Sequence, residues 1–188
     1  MSIQWSLVLF TWLTGAGGCL FAFIGLNELT RWSKKNAFAA SLTALVLTIV
    51  GGLASVTHLA HPGRMLNALS HPTSGIFVEA VLVAILCACI VVYLICLRRQ
   101  AQAAAKAFGI LGAIAGLLLS FMAGHSDIMA AQTAWATMML PLGYLATALA
   151  TGAGLWWALL APDKENGAQA ASICAIVCAA VALACVLA

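Results

Sequence analysis

Residues 58 to 80 read HLAHPGRMLNALSHPTSGIFVEA. This stretch carries His58, His61, His71, Arg64 and Glu79, and so three of the chain's four histidines and one of its five acidic residues. The sequence on either side is almost wholly apolar. An imidazole, with its ordinary pKa of roughly 6.5, and a carboxylate are suitable proton acceptors near neutral pH. His58 lies in the last turn of one apolar run, with Ser55, Ala54 and Gly51 behind it on one face at helical spacing. A face of such small residues predicts a groove beside the imidazole. Ser74, after Pro72 and Thr73, suits the cap of the next helix. Glu79 then sits five residues in, about 7–8 Å along the axis. His58 and Glu79 are expected at similar depth on adjacent antiparallel helices.

An acidic residue at the centre of a membrane helix costs roughly 2.5–3.5 kcal/mol, and less near the edge. An ionisable group retained there is by default functional. The functional reading is a pocket for a small amphipathic ligand whose polar head gives up protons to His58 and Glu79. The structural reading is a pair, Glu79 with Arg64 or His58, that pins the loop. Arg64 is also suited to shape that loop as a partner's docking face. His61 and His71 read as loop or surface residues. His125 and Asp127 close the fourth helix on the same side, where they either line the pocket or simply end the helix. Glu28 is expected to pair locally with Arg31.

The elements that position these groups follow from composition. Of 188 residues, 64% are hydrophobic and 7% charged, against roughly 25% charged in a soluble domain. Lipid is therefore the main solvent, and a spanning helix takes about 20 mainly apolar residues. Six runs qualify, at about 5–29, 37–60, 74–97, 104–125, 133–160 and 168–187. The expectation is an all-α, polytopic membrane helix bundle, a single integral-membrane domain over 1–188. Helix is the form that satisfies backbone groups in lipid. The first run lacks a basic leader and reads as a retained helix.

Arg31, Lys34, Lys35, Arg98, Arg99, Lys106 and Lys164 fall in or beside alternate loops, which assigns those loops to the cytoplasm. Both termini and the His58–Glu79 stretch then face outward, on the non-cytoplasmic side. The net charge of +3 reflects topology, not nucleic-acid binding. The seven cysteines all lie in apolar runs without a CxxC pair, so they read as packing residues, with no metal site. Gly18 with Ala22, Gly112 with Gly116, and Gly143 with Thr147 are spaced for close helix packing. Pro141 is expected to kink the fifth helix and free a carbonyl.

The quoted stretch resembles the signature of the dimethyl-sulfoxide reductase membrane anchor (DmsC) family. The matching residues are His58, Leu59, Pro62, Arg64, Asn67, Leu69, Ser74 and Glu79. WSLVLFTWLTGAGG at the start and TAWATMMLPLGYL in the fifth helix resemble two further motifs. The resemblance runs over the first five helices, and the chain reads as a short, six-helix form. It implies an anchor in the cytoplasmic (inner) membrane that holds a molybdopterin catalytic subunit and an iron–sulfur subunit against the outer face. Such an anchor oxidises menaquinol without haem and passes electrons to the nearest cluster in its partner. By position His58 and Glu79 match the family's quinol-site pair, with Arg64, Ser55, Gly51 and His125 around the ligand.

Three alternatives stay open. A haem b anchor needs two imidazoles from different helices, and only His58 and His125 qualify. A small transporter places its substrate groups near the midplane, where Pro141 is the one break. A scaffold with no quinol is the third. The terminal electron acceptor, the quinone type and the copy number are not legible in this chain.

Overall fold

The computed structural model describes residues 5–31, 36–57, 74–128, 137–160 and 165–187. Within them the chain forms six helices and no strand: α1 (Trp5–Thr30), α2 (Ala37–Val56), α3 (Gly75–Arg98), α4 (Gln102–Ser126), α5 (Met139–Leu160) and α6 (Glu165–Leu187). Five of them, α1 to α5, are long and apolar enough to cross a membrane; in α6 the described apolar stretch is Ser172–Cys185. The large apolar side chains that point outward, among them Trp5, Leu53, Ile114 and Leu183, suit a lipid solvent and not water.

The bundle is built around α1, which packs against α2, α4 and α5, while α3 closes the ring between α2 and α4 and α6 packs on α5. The reason is in α1's own sequence. From Thr14 to Gly25 it is buried on every side, and its glycines bring neighbouring backbones close. A Cβ built on Gly18 would lie 3.0 Å from the Gly116 Cα of α4, and one on Gly17 would lie 2.7 Å from Thr48 Oγ1 of α2. One on Gly152 of α5 would meet Cys19 at 2.7 Å. With little hydrophobic drive between helices in lipid, such backbone proximity is what holds them together. Phe21 meets Tyr93 edge-on at 5.4 Å, and Phe23 lies 6.1 Å from Trp156.

Buried hydroxyls satisfy themselves within their helices. Thr14 donates to Phe10 O (2.6 Å), Thr48 to Ala44 O (2.8 Å) and Ser120 to Gly116 O (3.0 Å), the usual solution for Ser and Thr where water is absent. The α3–α4 hairpin closes through Gln100 in the left-handed region (φ 55°). Gln100 N–H donates to Leu97 O (3.3 Å) and Ala101 N–H to Cys96 O (3.0 Å), the two bonds of a Schellman closure. All seven cysteines are free thiols.

Three expectations need correction. Pro141 does not kink the middle of a helix. It lies in the first turn of α5, which starts at Met139, where its missing N–H would have had no partner in any case. Thr137 O, outside the helix, accepts from Leu140 N–H at 3.3 Å. The groove expected at Gly51 is filled by α1, since a Cβ there would lie 2.8 Å from Thr14 Cγ2 and 3.0 Å from Leu13 Cβ. Glu28 takes its hydrogen bond from across the bundle: Tyr93 donates to its Oε1 at 2.5 Å, and no ion pair with Arg31 is found among the described residues.

Candidate functional site

Helix polarity sorts the polar side chains into two ends. At one end stand Arg31, Arg98, Arg99 and Lys106, close to the hairpin turns. There Arg98 stacks over the Phe38 ring at 5.0 Å, and Asn36 Nδ2 donates to Leu159 O at 3.2 Å. At the opposite end the start of α3, the end of α4 and the start of α5 converge, and four polar residues meet: Glu79, Ser126, Asp127 and Tyr144.

Each is placed by local structure. Ser74 caps α3, its Oγ accepting from Phe77 N–H at 3.2 Å, as its position after Pro72 and Thr73 predicts. Glu79 is therefore held one turn in, half-buried. Gly75 lets this turn sit against α4, for a Cβ there would collide with Ser126 Oγ. Ser126 and Asp127 are the polar groups beside the Glu79 carboxyl. Ser126 Oγ also donates to Met122 O at 2.8 Å. Tyr144 of α5 donates to Asp127 Oδ2 at 2.9 Å and stands within electrostatic reach of Glu79.

A second glycine sets the distance between α4 and α5. A Cβ built on Gly124 would lie 2.6 Å from Pro141 Cα and 3.0 Å from Tyr144 Cβ and Cγ. Only hydrogen at position 124 lets the Tyr144 ring reach over to Asp127. The result is two carboxyls, a hydroxyl and a phenol gathered where three helices meet, with the Tyr144–Asp127 hydrogen bond joining α5 to the end of α4.

Beside this cluster lies a cavity of about 590 Å³ between α1, α5 and α6, with Thr11, Trp12, Met139, Tyr144, Thr147 and Cys185 in its wall. Tyr144 belongs to both features: its hydroxyl donates to Asp127, and the residue lines the cavity.

The residues expected to form the site divide as follows. Glu79 is at the converging end. His58, His61, Arg64 and His71 lie outside the described residues. In the α2–α3 register Gly52 faces Val83, with a built Cβ 3.6 Å from Val83 Cγ1, so Val56 is level with Glu79 in the antiparallel pair. Ser55 is half-buried and Gly51 is buried against α1. His125 is exposed, and its ring neighbour is Phe121 at 6.4 Å. Of the two residues closing α4, it is Asp127 that joins Glu79. Ser126 and Tyr144 were not anticipated, although Tyr144 sits in the quoted LPLGYL segment. No group of three or more potential metal ligands occurs among the described residues.

The family model described as DMSO reductase anchor subunit (DmsC) matches residues 1–188. Comparison with curated proteins and with solved structures returns no match.

Proposed function

Because this chain belongs to the DMSO reductase anchor subunit family, we propose that it oxidises menaquinol at the Glu79 end of the bundle and delivers the electrons to a docked iron–sulfur subunit. The family is the membrane anchor of DMSO reductase-type complexes, so the chain is a multi-pass membrane subunit that docks with catalytic and partner subunits. The finer reading rests on one observation: an acidic cluster, Glu79–Ser126–Asp127–Tyr144, stands at the end opposite the arginines.

Lys and Arg mark cytoplasmic loops, which directs the Glu79 end and both termini to the outer side of the inner membrane. A quinol that gives up two electrons also releases two protons, and each needs an acceptor. His58 takes the hydrogen bond and then the proton of one hydroxyl. Glu79, beside Ser126, takes the second or orients His58. Asp127 and Tyr144 carry protons on toward the surface at the end of α4. Arg64 belongs to the loop that faces the partner. The molybdopterin and iron–sulfur groups reside in the partners, docked on the outer face, and this chain needs no haem for the transfer.

The test separates quinol chemistry from assembly. In the purified complex, Glu79→Gln and His58→Ala abolish quinol-dependent reduction of the terminal acceptor and leave reduction by an artificial soluble donor intact. Equal loss of both activities assigns these residues to assembly and removes the proposal.

A further inference from the structure

The arginine end of the bundle is short of acids. Seven of the eight basic residues, all but Arg64, lie in or beside the segments that join α1 to α2, α3 to α4 and α5 to α6; three acids, Glu28, Asp163 and Glu165, lie with them. The Glu28 carboxylate accepts from Tyr93. Among the described residues no ion pair holds Arg31, Arg98, Arg99 or Lys106. Arg98 is nonetheless fixed in place. Its guanidinium carbon lies 5.0 Å from the centroid of the exposed Phe38 ring, a cation–π contact that joins the end of α3 to the start of α2. Stacking occupies the flat face of the guanidinium and leaves its N–H donors, which have no acceptor among the described residues, directed outward at its edge.

An apolar seam runs from this pair toward the middle of the bundle. Gly52 opposite Val83 and Phe38 opposite Arg98 give one antiparallel register for α2 and α3. In that register Leu42 is level with the space between Ile95 and Val91, about 6 Å along the axis from Phe38. All three are exposed. A fixed cation with spare donors, standing over outward-facing apolar side chains, complements a lipid that carries a phosphate above its acyl chains. A guanidinium meets phosphate oxygens two at a time, and the ring that already holds it lowers the ordering cost of binding. We propose that Arg98, stacked on Phe38, is the headgroup site for one anionic phospholipid, whose acyl chain lies along Leu42, Ile95 and Val91 on the α2–α3 seam. A zwitterionic phospholipid brings its own cation into the same basic surroundings and binds more weakly. An acidic protein segment would satisfy the guanidinium and leave the seam uncovered. The site is at the opposite end from Glu79 and does not depend on the quinol reading.

The test uses the full chain, purified in a neutral detergent and examined by native mass spectrometry with dioleoyl phosphatidylglycerol or dioleoyl phosphatidylcholine at equal concentration. The wild type retains the phosphatidylglycerol at least about fivefold better, the factor one surface cation contributes toward an anionic headgroup. Arg98→Gln brings that preference below about twofold. Phe38→Leu keeps every charge and frees the guanidinium, and it lowers the preference by about twofold or more. Lys106→Gln removes the same charge from α4 and leaves the preference above about fourfold. Each variant is compared once its thermal midpoint without added lipid matches the wild type; if Arg98→Gln does not fold, Phe38→Leu decides. Equal retention of the two lipids overturns the proposal. So does equal loss in Arg98→Gln and Lys106→Gln, which leaves only a diffuse basic field, or an unchanged preference in Phe38→Leu. Displacement of the bound lipid by excess inorganic phosphate also overturns it, because the site then takes a free anion and the seam contributes nothing.

Discussion

Gly124→Ala places one methyl group where α4 and α5 touch. The added carbon would start 2.6 Å from Pro141 Cα and 3.0 Å from Tyr144 Cβ and Cγ, when apolar carbons settle at about 3.5–4.0 Å. Pro141 is fully buried in the first turn of α5, so no flexible side-chain tip gives way and the helix itself must recoil by about an ångström. Tyr144 moves with it. Its 2.9 Å bond to Asp127 then stretches to nearly 4 Å, past any useful hydrogen bond (about 2.5–3.0 Å for O–H···O). Overpacking of this kind costs about 1–3 kcal/mol. If a similar amount is lost at the site, quinol-dependent turnover falls by roughly tenfold or more. Gly154→Ala is the matched control, since a Cβ there meets nothing within 4 Å. Both variants are assayed in the purified complex for thermal midpoint, for quinol-dependent reduction and for artificial-donor activity. The reasoning requires Gly124→Ala to lose stability and quinol turnover while Gly154→Ala loses neither. Identical behaviour of the two would refute the claim that hydrogen at position 124 sets the site's geometry.

Other perturbations probe separate links. Tyr144→Phe leaves the packing in place and removes the hydroxyl bonded to Asp127, so quinol turnover drops by about tenfold and the melting temperature falls modestly, in line with the roughly 0.5–1.5 kcal/mol a hydrogen bond contributes. Tyr93→Phe deprives Glu28 of its hydroxyl partner at the arginine end; it lowers the melting temperature and leaves the quinol Michaelis constant unchanged. Gly18→Val forces α1 away from Gly116 and is expected to abolish accumulation of the subunit in the membrane, measured by immunoblot. Ser74→Ala removes the cap of α3, costing about 1 kcal/mol and loosening the turn that carries Glu79, which hydrogen exchange at Phe77 reports.

Much of the architecture is legible in the sequence because lipid leaves the chain few choices. Apolar runs of spanning length have to be helices, and their breaks at the charged loops gave elements close to α1 through α6. Ser74 was readable as a cap because its chemistry is local. Pro141 was misread because the apolar run continues through residues 133–138, with no polar break to show that the helix begins at Met139. Residues brought together across helices were harder to see. A helix that is apolar all round has no stripe to say which side faces the bundle, so the meeting of Tyr144 with Asp127 left no periodic trace. Glu28 misled for the same reason: Arg31 is three positions along the chain, whereas Tyr93, its partner, is 65 away.

The central place of α1 has a consequence for how the subunit is made. It is synthesised before α4 and α5, yet contacts that cover it come from them: Cys19 meets Ser120 across 101 residues of chain, and Gly152 of α5 closes on the same turn. Until those segments are synthesised, its glycine-lined flanks face lipid tails or the insertion machinery. Topology that depends on such distant pairings assembles slowly. Helix α1 therefore waits for α4 and α5, and a nascent chain stalled before α5 leaves its own hub uncovered and open to quality-control proteases.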